Sequence, residues 1–237
     1  MARTKTSSPV PSRQARPAQP HAPAAALVYI GSGCPHCPAV VDGLTRLVKS
    51  GRLARLEVVN LSVTGPAQAD GVRSIPWTRI GPFELVGAIS PGDLADWAER
   101  AATGEGWAAY YAHLLEQRRL DEAEGLVRQR PETLVDLLDL LGEADTPMAL
   151  RIGISALLES LTGDPILAQA VPILTQLTLS ELPQTRADAC HYLGLAGDPA
   201  AIPAVRRLLD DDQADVAEIA AETLALLGAD AQDSDGD

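Results

Sequence analysis

Positive charge is scarce in this chain: 19 Lys and Arg stand against 32 Asp and Glu, leaving a net charge of -13. Such a balance repels phosphate backbones and anionic membrane surfaces, so nucleic acid is not an expected partner. Long hydrophobic runs are missing too. No uninterrupted apolar stretch approaches the roughly 18–20 residues a membrane helix needs, so no membrane association is expected. Aromatic residues make up only 3% of the chain, with a single Phe, which points to a core packed from Ala and Leu. Cysteine is rarer still, at three residues.

The first acid is Asp42, and before it the chain carries Arg3, Lys5, Arg13 and Arg16 among Pro9, Pro11, Pro17, Pro20 and Pro23. This segment has no apolar stretch and reads as a disordered arm, not a secretory signal. A cytoplasmic location is therefore expected, with an organellar transit segment as the alternative. In a reducing compartment a lasting structural disulfide is out of place, and a Cys-x-x-Cys pair is catalytic or metal-binding. The remaining 46% hydrophobic, 22% charged composition suits one or two buried cores.

One segment carries explicit chemistry. Ser32-Gly33-Cys34-Pro35-His36-Cys37-Pro38 follows the apolar run Leu27-Val28-Tyr29-Ile30. Two cysteines with two residues between them, wound into a first helical turn, can close a disulfide and open it again. A helix starting near Cys34 would turn its unpaired amides and positive dipole end to that sulfur and favour the thiolate. Pro35 suits that start, and protonated His36 would add to the effect. Zinc is the rival chemistry, but the chain offers no second Cys-x-x-Cys and no His-x-x-x-His, so no metal is expected. Cys190-His191 could complete a site only across the fold, and Cys190 reads as a core residue. A glutathione or cluster site is conceivable, although no basic cluster for glutathione carboxylates stands out.

Around the motif the pattern predicts a strand over 27–30 and a helix carrying Val40, Val41, Leu44, Leu47 and Val48, ending near Ser50-Gly51. A strand over 53–63 and the breaker Thr64-Gly65-Pro66 follow. Two short strands, 77–80 and 83–86, flank the hairpin turn Gly81-Pro82. A last helix runs from Pro91 to about Ala102, with Ser90 as its N-cap.

Cys34-Pro35-His36-Cys37, then Val72-Arg73-Ser74-Ile75-Pro76, then Leu85-Val86-Gly87-Ala88-Ile89-Ser90 and a closing helix resemble the thioredoxin family over roughly residues 26–104. The resemblance implies a cis Ile75-Pro76 bond beside the cysteines, Cys34 as attacking thiolate, Cys37 as buried resolving thiol, and peptide binding at Ile75, Gly87 and Ala88. It implies no cofactor beyond the redox-active Cys34–Cys37 pair. The Pro-His dipeptide is similar to that of the oxidising periplasmic members. Gly33, Val28 and Trp77 stand where thioredoxin has tryptophan, a buried acid and threonine. That pattern favours a specialised client over general disulfide reduction.

Beyond Gly104, Leu- and Ala-rich segments of helical period alternate with short Gly, Asp and Pro breaks. Gly163-Asp164-Pro165 recurs as Gly197-Asp198-Pro199 and more loosely as Gly228-Ala229-Asp230, 34 and then 31 residues apart. This is the spacing of a two-helix solenoid unit. Val171-Pro172-Ile173-Leu174 matches Ile202-Pro203-Ala204-Val205, and the segment Gly197 to Gly228 resembles HEAT-like repeats of the PBS-lyase type. An earlier unit is expected over 132–161.

The expected fold is thus an α/β thioredoxin-like domain followed by an all-α HEAT-like solenoid. Its parts are an arm (1–25), the α/β domain (26–104), adaptor helices (105–130), repeats (131–229) and an acidic tail (230–237). The expected function is thiol-disulfide exchange with a protein client held by the repeats, served by a protein reductant or oxidant. The catalytic set is Cys34, Cys37, His36 and Pro76. The alternative is a non-catalytic scaffold or redox-sensing adaptor. Acids Asp210, Asp211, Asp212, Asp215, Glu218 and Glu222, with tail residues Asp230, Asp233, Asp235 and Asp237, would attract a basic partner patch.

Overall fold

The computed structural model describes residues 22–65 and 71–228. The arm up to His21, Pro66 of the expected breaker, and Ala229 with the acidic tail lie outside the described residues. The chain divides into two compact units, Met1–Gly106 and Trp107–Asp237: an α/β unit followed by a helical repeat unit.

In the first unit, β1 (Ala24–Ile30), α1 (Cys37–Lys49), β2 (Leu53–Asn60) and a short helical turn α2 (Leu61–Thr64) precede β3 (Trp77–Ile80), β4 (Phe83–Val86) and α3 (Pro91–Thr103). The described strands form one mixed sheet in the order β2-β1-β3-β4. β1 runs parallel to β2 and antiparallel to β3, and β3 runs antiparallel to β4. The parallel pair needs a crossover, which α1 supplies. The antiparallel pair needs only the Gly81-Pro82 hairpin, where Gly81 adopts φ +57 and lies against Ala101 of α3. Val28, Leu44, Ile80, Phe83, Leu85 and Leu94 are fully buried between sheet and helices. Gly43 lets the helices close in, because a Cβ there would sit 2.8 Å from Leu94 Cδ1.

Three boundaries differ from the sequence expectation. β1 begins at Ala24 and not at Leu27, inside the arm expected over 1–25, because Ala24 and Ala25 already pair with Leu53 and Arg55 of β2. β2 stops at Asn60 and not at Val63, because Asn60 Oδ1 accepts the Ser62 amide at 3.0 Å and turns the chain into α2. α1 begins at Cys37, three residues after Cys34. The expected Ser90 cap is formed: its hydroxyl oxygen accepts the Asp93 amide at 3.1 Å.

In the second unit, α4 (Trp107–Glu116), α5 (Leu120–Gln129), α6 (Leu134–Gly142), α7 (Met148–Ser160), α8 (Val171–Leu177), α9 (Pro183–Ala196), α10 (Ile202–Arg206) and α11 (Ala214–Leu226) follow in order. Residues 107–130, read from sequence as adaptor helices, form α4 and α5; α4 packs on α6 and α7, and α5 on α7. Tyr111 of α4 is fully buried and shares a 2.7 Å hydrogen bond with Thr133 just before α6. The repeated Gly-Asp-Pro has a mechanical role. Gly197 caps α9 and Gly163 lies in the turn after α7, both with positive φ, and Asp164 and Asp198 accept the amides of Ile166 and Ala200 at 3.0 and 2.9 Å.

Two arginines that the repeat pattern did not single out clamp successive repeats. Arg151 on α7 donates to Asp188 Oδ2 at 2.8 Å and to the carbonyls of Leu141 and Glu143 at 2.9 and 3.2 Å. Arg186, one repeat later, donates to the Ser180 and Glu181 carbonyls at 3.0 and 3.3 Å. It also grips both Asp211 oxygens, at 2.6 and 2.7 Å. Arg151 thereby satisfies carbonyls at the end of α6, and Arg186 those of the loop between α8 and α9. The Arg186 hydrogen bonds hold the Asp211 carboxyl down at about 2, against an ordinary 3.8.

Asp211→Asn is accordingly expected to cost about 1–3 kcal/mol in urea unfolding at neutral pH, the usual worth of a hydrogen bond to a charged group. Because the folded value is depressed, the wild-type advantage is complete above the unfolded carboxylate range and disappears as pH falls from 3.8 through about 2. An advantage that instead grew on acidification would contradict this assignment.

Candidate active site

The sheet register sets the site. Tyr29 pairs with both Val59 and Trp77. Continued two residues beyond Tyr29, the antiparallel ladder brings Gly31 opposite Ile75. Contact geometry agrees: a Cβ on Gly31 would lie 2.5 Å from Ile75 Cδ1. A larger residue at Gly31 would require the Ile75 side chain to move. On the other side of this segment the Gly87 amide donates to the Pro76 carbonyl at 2.8 Å, with Gly87 at φ +93. The Ile75–Pro76 bond is cis, the isomer that the thioredoxin resemblance implies. Tyr29 and Trp77 stack, with ring centroids 5.2 Å apart.

From Gly31 the chain turns directly into the cysteines. The Cys34 amide donates to the Gly31 carbonyl at 3.1 Å. Cys34 and Cys37 are joined in a disulfide, with their Cα atoms 5.5 Å apart. The Cys37 amide, the first of α1, points to Cys34 Sγ at 3.1 Å. That sulfur accepts the first amide of α1, one position ahead of the amides an N-cap side chain serves, and the helix starts at Cys37 and not at Cys34. The sulfur still receives the N-terminal amide that favours a thiolate. Pro38 occupies the first turn of α1, where its missing N–H leaves nothing unpaired. Cys34 is half-exposed and Cys37 buried.

The other expected site residues fall into two groups. Ile75, Pro76 and Gly87 lie at the same sheet end as Gly31, the first two across its ladder and Gly87 bonded to Pro76; Ile75 and Gly87 are half-buried and Pro76 is buried. His36 occupies the N-cap position of α1, is exposed, and makes no capping hydrogen bond with its side chain. Ala88 is exposed. Among the described residues no group of His, Cys, Asp or Glu is arranged to hold a metal ion, and no helix is long and apolar enough to cross a membrane.

Sequence reasoning missed a polar brace. The Ser32 amide donates to Ser62 Oγ at 3.0 Å, and Asn60 Nδ2 donates to Ser32 Oγ at 3.2 Å. The end of β2 thus holds the loop that leads into Cys34. An Asn-Leu-Ser sequence closing an apolar strand is a turn signal that could have marked it. Thr78 was missed as well. It pairs with Val28, and its buried hydroxyl has no hydrogen-bond partner among the described residues.

Cys190 provides an internal contrast. It is fully buried in α9, and burial pushes its thiol up to about 11, partly offset by a hydrogen bond from Thr223.

With this geometry in place, comparison with known proteins assigns the second unit alone: a family model described as HEAT repeats matches residues 134–225. No curated protein matches the chain.

After reduction of the native protein, iodoacetamide at pH 8 is expected to modify Cys34 first and to leave Cys190 unmodified until the protein is denatured. Peptide mapping by mass spectrometry reads this out; native labelling of Cys190 as fast as that of Cys34 would refute it.

Proposed function

We propose that the protein is a thiol-disulfide oxidoreductase with a thioredoxin-like first domain, acting on a protein client through Cys34 and Cys37 while the HEAT-like repeats hold that client or a partner. The observation that carries this reading is the asymmetry of the pair: a half-exposed Cys34 sulfur facing the first amide of α1, bonded to a buried Cys37. The sheet order, the α1 crossover and the Ile75–Pro76 segment seated across Gly31 support the thioredoxin-like assignment.

In the reducing direction, the Cys34 thiolate attacks one sulfur of a client disulfide. That S–S bond breaks, the other client sulfur leaves as a thiolate, and Cys34 is joined to the client. Cys37 then loses its proton to solvent and attacks Cys34 Sγ, releasing the second client thiolate and restoring the Cys34–Cys37 disulfide. Two electrons pass to the client, and a protein dithiol returns them. In the oxidising direction the same steps run backwards. Ile75, Pro76, Gly87 and Ala88 form the backbone edge along which a client strand would lie.

The second reading is a redox-sensing adaptor whose work is done by the repeats. What favours it is Val28: β1 carries no carboxylate to help deprotonate Cys37, and the polar neighbour across the ladder is only the Thr78 hydroxyl.

Cys37→Ser should accumulate client adducts that are reversible by dithiothreitol and absent from the Cys34→Ser, Cys37→Ser double variant. No Cys34-dependent adduct, together with no Cys34-dependent reduction of insulin, would leave the adaptor. A measured potential separates the directions, near roughly -270 mV for a reductant and about -120 mV for an oxidant, with an intermediate value expected from the Pro-His pair.

A further inference from the structure

Aligning Arg151 of α7 on Arg186 of α9 puts the two helices in a common register. Ile154, Leu157 and Leu158 then match Ala189, Tyr192 and Leu193, and all six are buried. The core-facing sides of the two helices are therefore equivalent. Their flanks are not. Ile152 corresponds to Ala187, which is 8% exposed, yet Ile152 is 63% exposed. Ser155 corresponds to Cys190, which is fully buried, whereas Ser155 is half-buried.

The cause lies in the next helix. α11 lies close along α9, so near that a Cβ on Gly194 would stand 3.2 Å from Thr223 Cγ2. α9 does not cover α7 in the same way; it reaches α7 through the Arg151–Asp188 ion pair at 2.8 Å and a hydrogen bond between Tyr192 and Ser155. The flank of α7 that a regular stack would close stays open. It presents Met148, also 63% exposed, one turn from Ile152.

On α7 and in the turn before it the exposed charge has one sign. Glu143 and Asp145 are exposed just before α7, and Glu159 is exposed at its far end, three turns from Met148. Arg151 is the only Lys or Arg between Pro131 and Thr185, and it is buried and bound to Asp188. An incoming chain therefore meets two adjacent apolar side chains with exposed carboxylates before α7 and at its far end.

We propose that this flank of α7 is a docking surface for a peptide segment that carries an apolar side chain flanked by Lys or Arg. The apolar residue takes the place that the neighbouring helix leaves open against Met148 and Ile152. The cations meet Glu143, Asp145 and Glu159. The dithiol plays no part in this proposal, so its test and that of the redox reading fail separately.

The chain contains two methionines, Met1 and Met148, so methyl-labelled methionine gives a direct reporter. The full chain is titrated with three peptides of equal length, built from Lys and Leu, Glu and Leu, or Lys and Ser. The Lys/Leu peptide is expected to move the Met148 methyl resonance saturably, and the other two are not. Ile152→Lys, an exposed position that should leave the melting temperature unchanged, should weaken binding at least about tenfold, as loss of a central contact does. Leu226→Ser, at another exposed apolar position, should leave it unaltered. An unmoved Met148 resonance, an equal response to the Glu/Leu peptide, or undiminished binding by Ile152→Lys would overturn the proposal. So would a concentration-dependent Met148 shift without peptide that Ile152→Lys abolishes, which would make the stripe a contact between two copies of the chain.

Discussion

The double pairing of β1, parallel to β2 on one edge and antiparallel to β3 on the other, governs most of what the first unit can do. Because side chains alternate across a sheet, a slip of one residue in either ladder would turn Val28 out of the core and bring Tyr29 into it. Packing therefore holds the register. The same register determines which residues meet where the strands end: Asn60 after β2, Gly31 after β1, and Ile75–Pro76 before β3. The dithiol loop starts at that end and is braced from both sides. Ile75 closes on Gly31, and Ser62 and Asn60 hold Ser32. A core that must exclude water thus positions the half-exposed Cys34 sulfur.

Three cysteines in one chain show how environment divides a single chemistry. Cys34 is half-exposed and faces a helix amide, Cys37 is buried behind it, and Cys190 is sealed in α9 with its thiol pushed up to about 11. Only the first combines access with a local positive field, the conditions under which a thiolate forms and reacts. Burial of Cys37 is compatible with the proposed resolving role, in which its sulfur reacts only with Cys34 beside it.

How much of this was legible in the sequence depends on how local each signal is. The hairpin at Gly81-Pro82, the Ser90 cap, and the Gly-Asp-Pro breaks that became positive-φ glycines and aspartate caps act within a few residues, and a one-dimensional reading finds them. The second unit's repeat character was legible for the same reason, and the match to HEAT repeats covers that region. The α1 start at Cys37 was missed because a sulfur, not an ordinary capping side chain, receives the first amide. The end of β2 was missed because apolar residues continue through Val63, while Asn60 turns the chain with its own side chain. Arg151 and Arg186 were invisible as clamps because their partners come from the neighbouring repeat or the preceding helix end or loop, and helical periodicity does not encode those contacts.

The clamps differ where the stack is uneven. Arg186 reaches forward to Asp211, which lies in the turn before α11, and α11 packs closely on α9. Arg151 finds Asp188 within the body of α9 itself, where Tyr192 adds a hydrogen bond to Ser155, and α9 packs less extensively on α7. A solenoid's stability is approximately the sum of its repeats and their interfaces, so the α7–α9 junction contributes less apolar burial than the α9–α11 junction. With few aromatic side chains to fill the difference, the shortfall remains as exposed Met148 and Ile152. The open flank of α7 thus sits at the junction whose carboxylate, Asp188, lies within the next helix, whereas at the closed junction Asp211 lies in the turn before it.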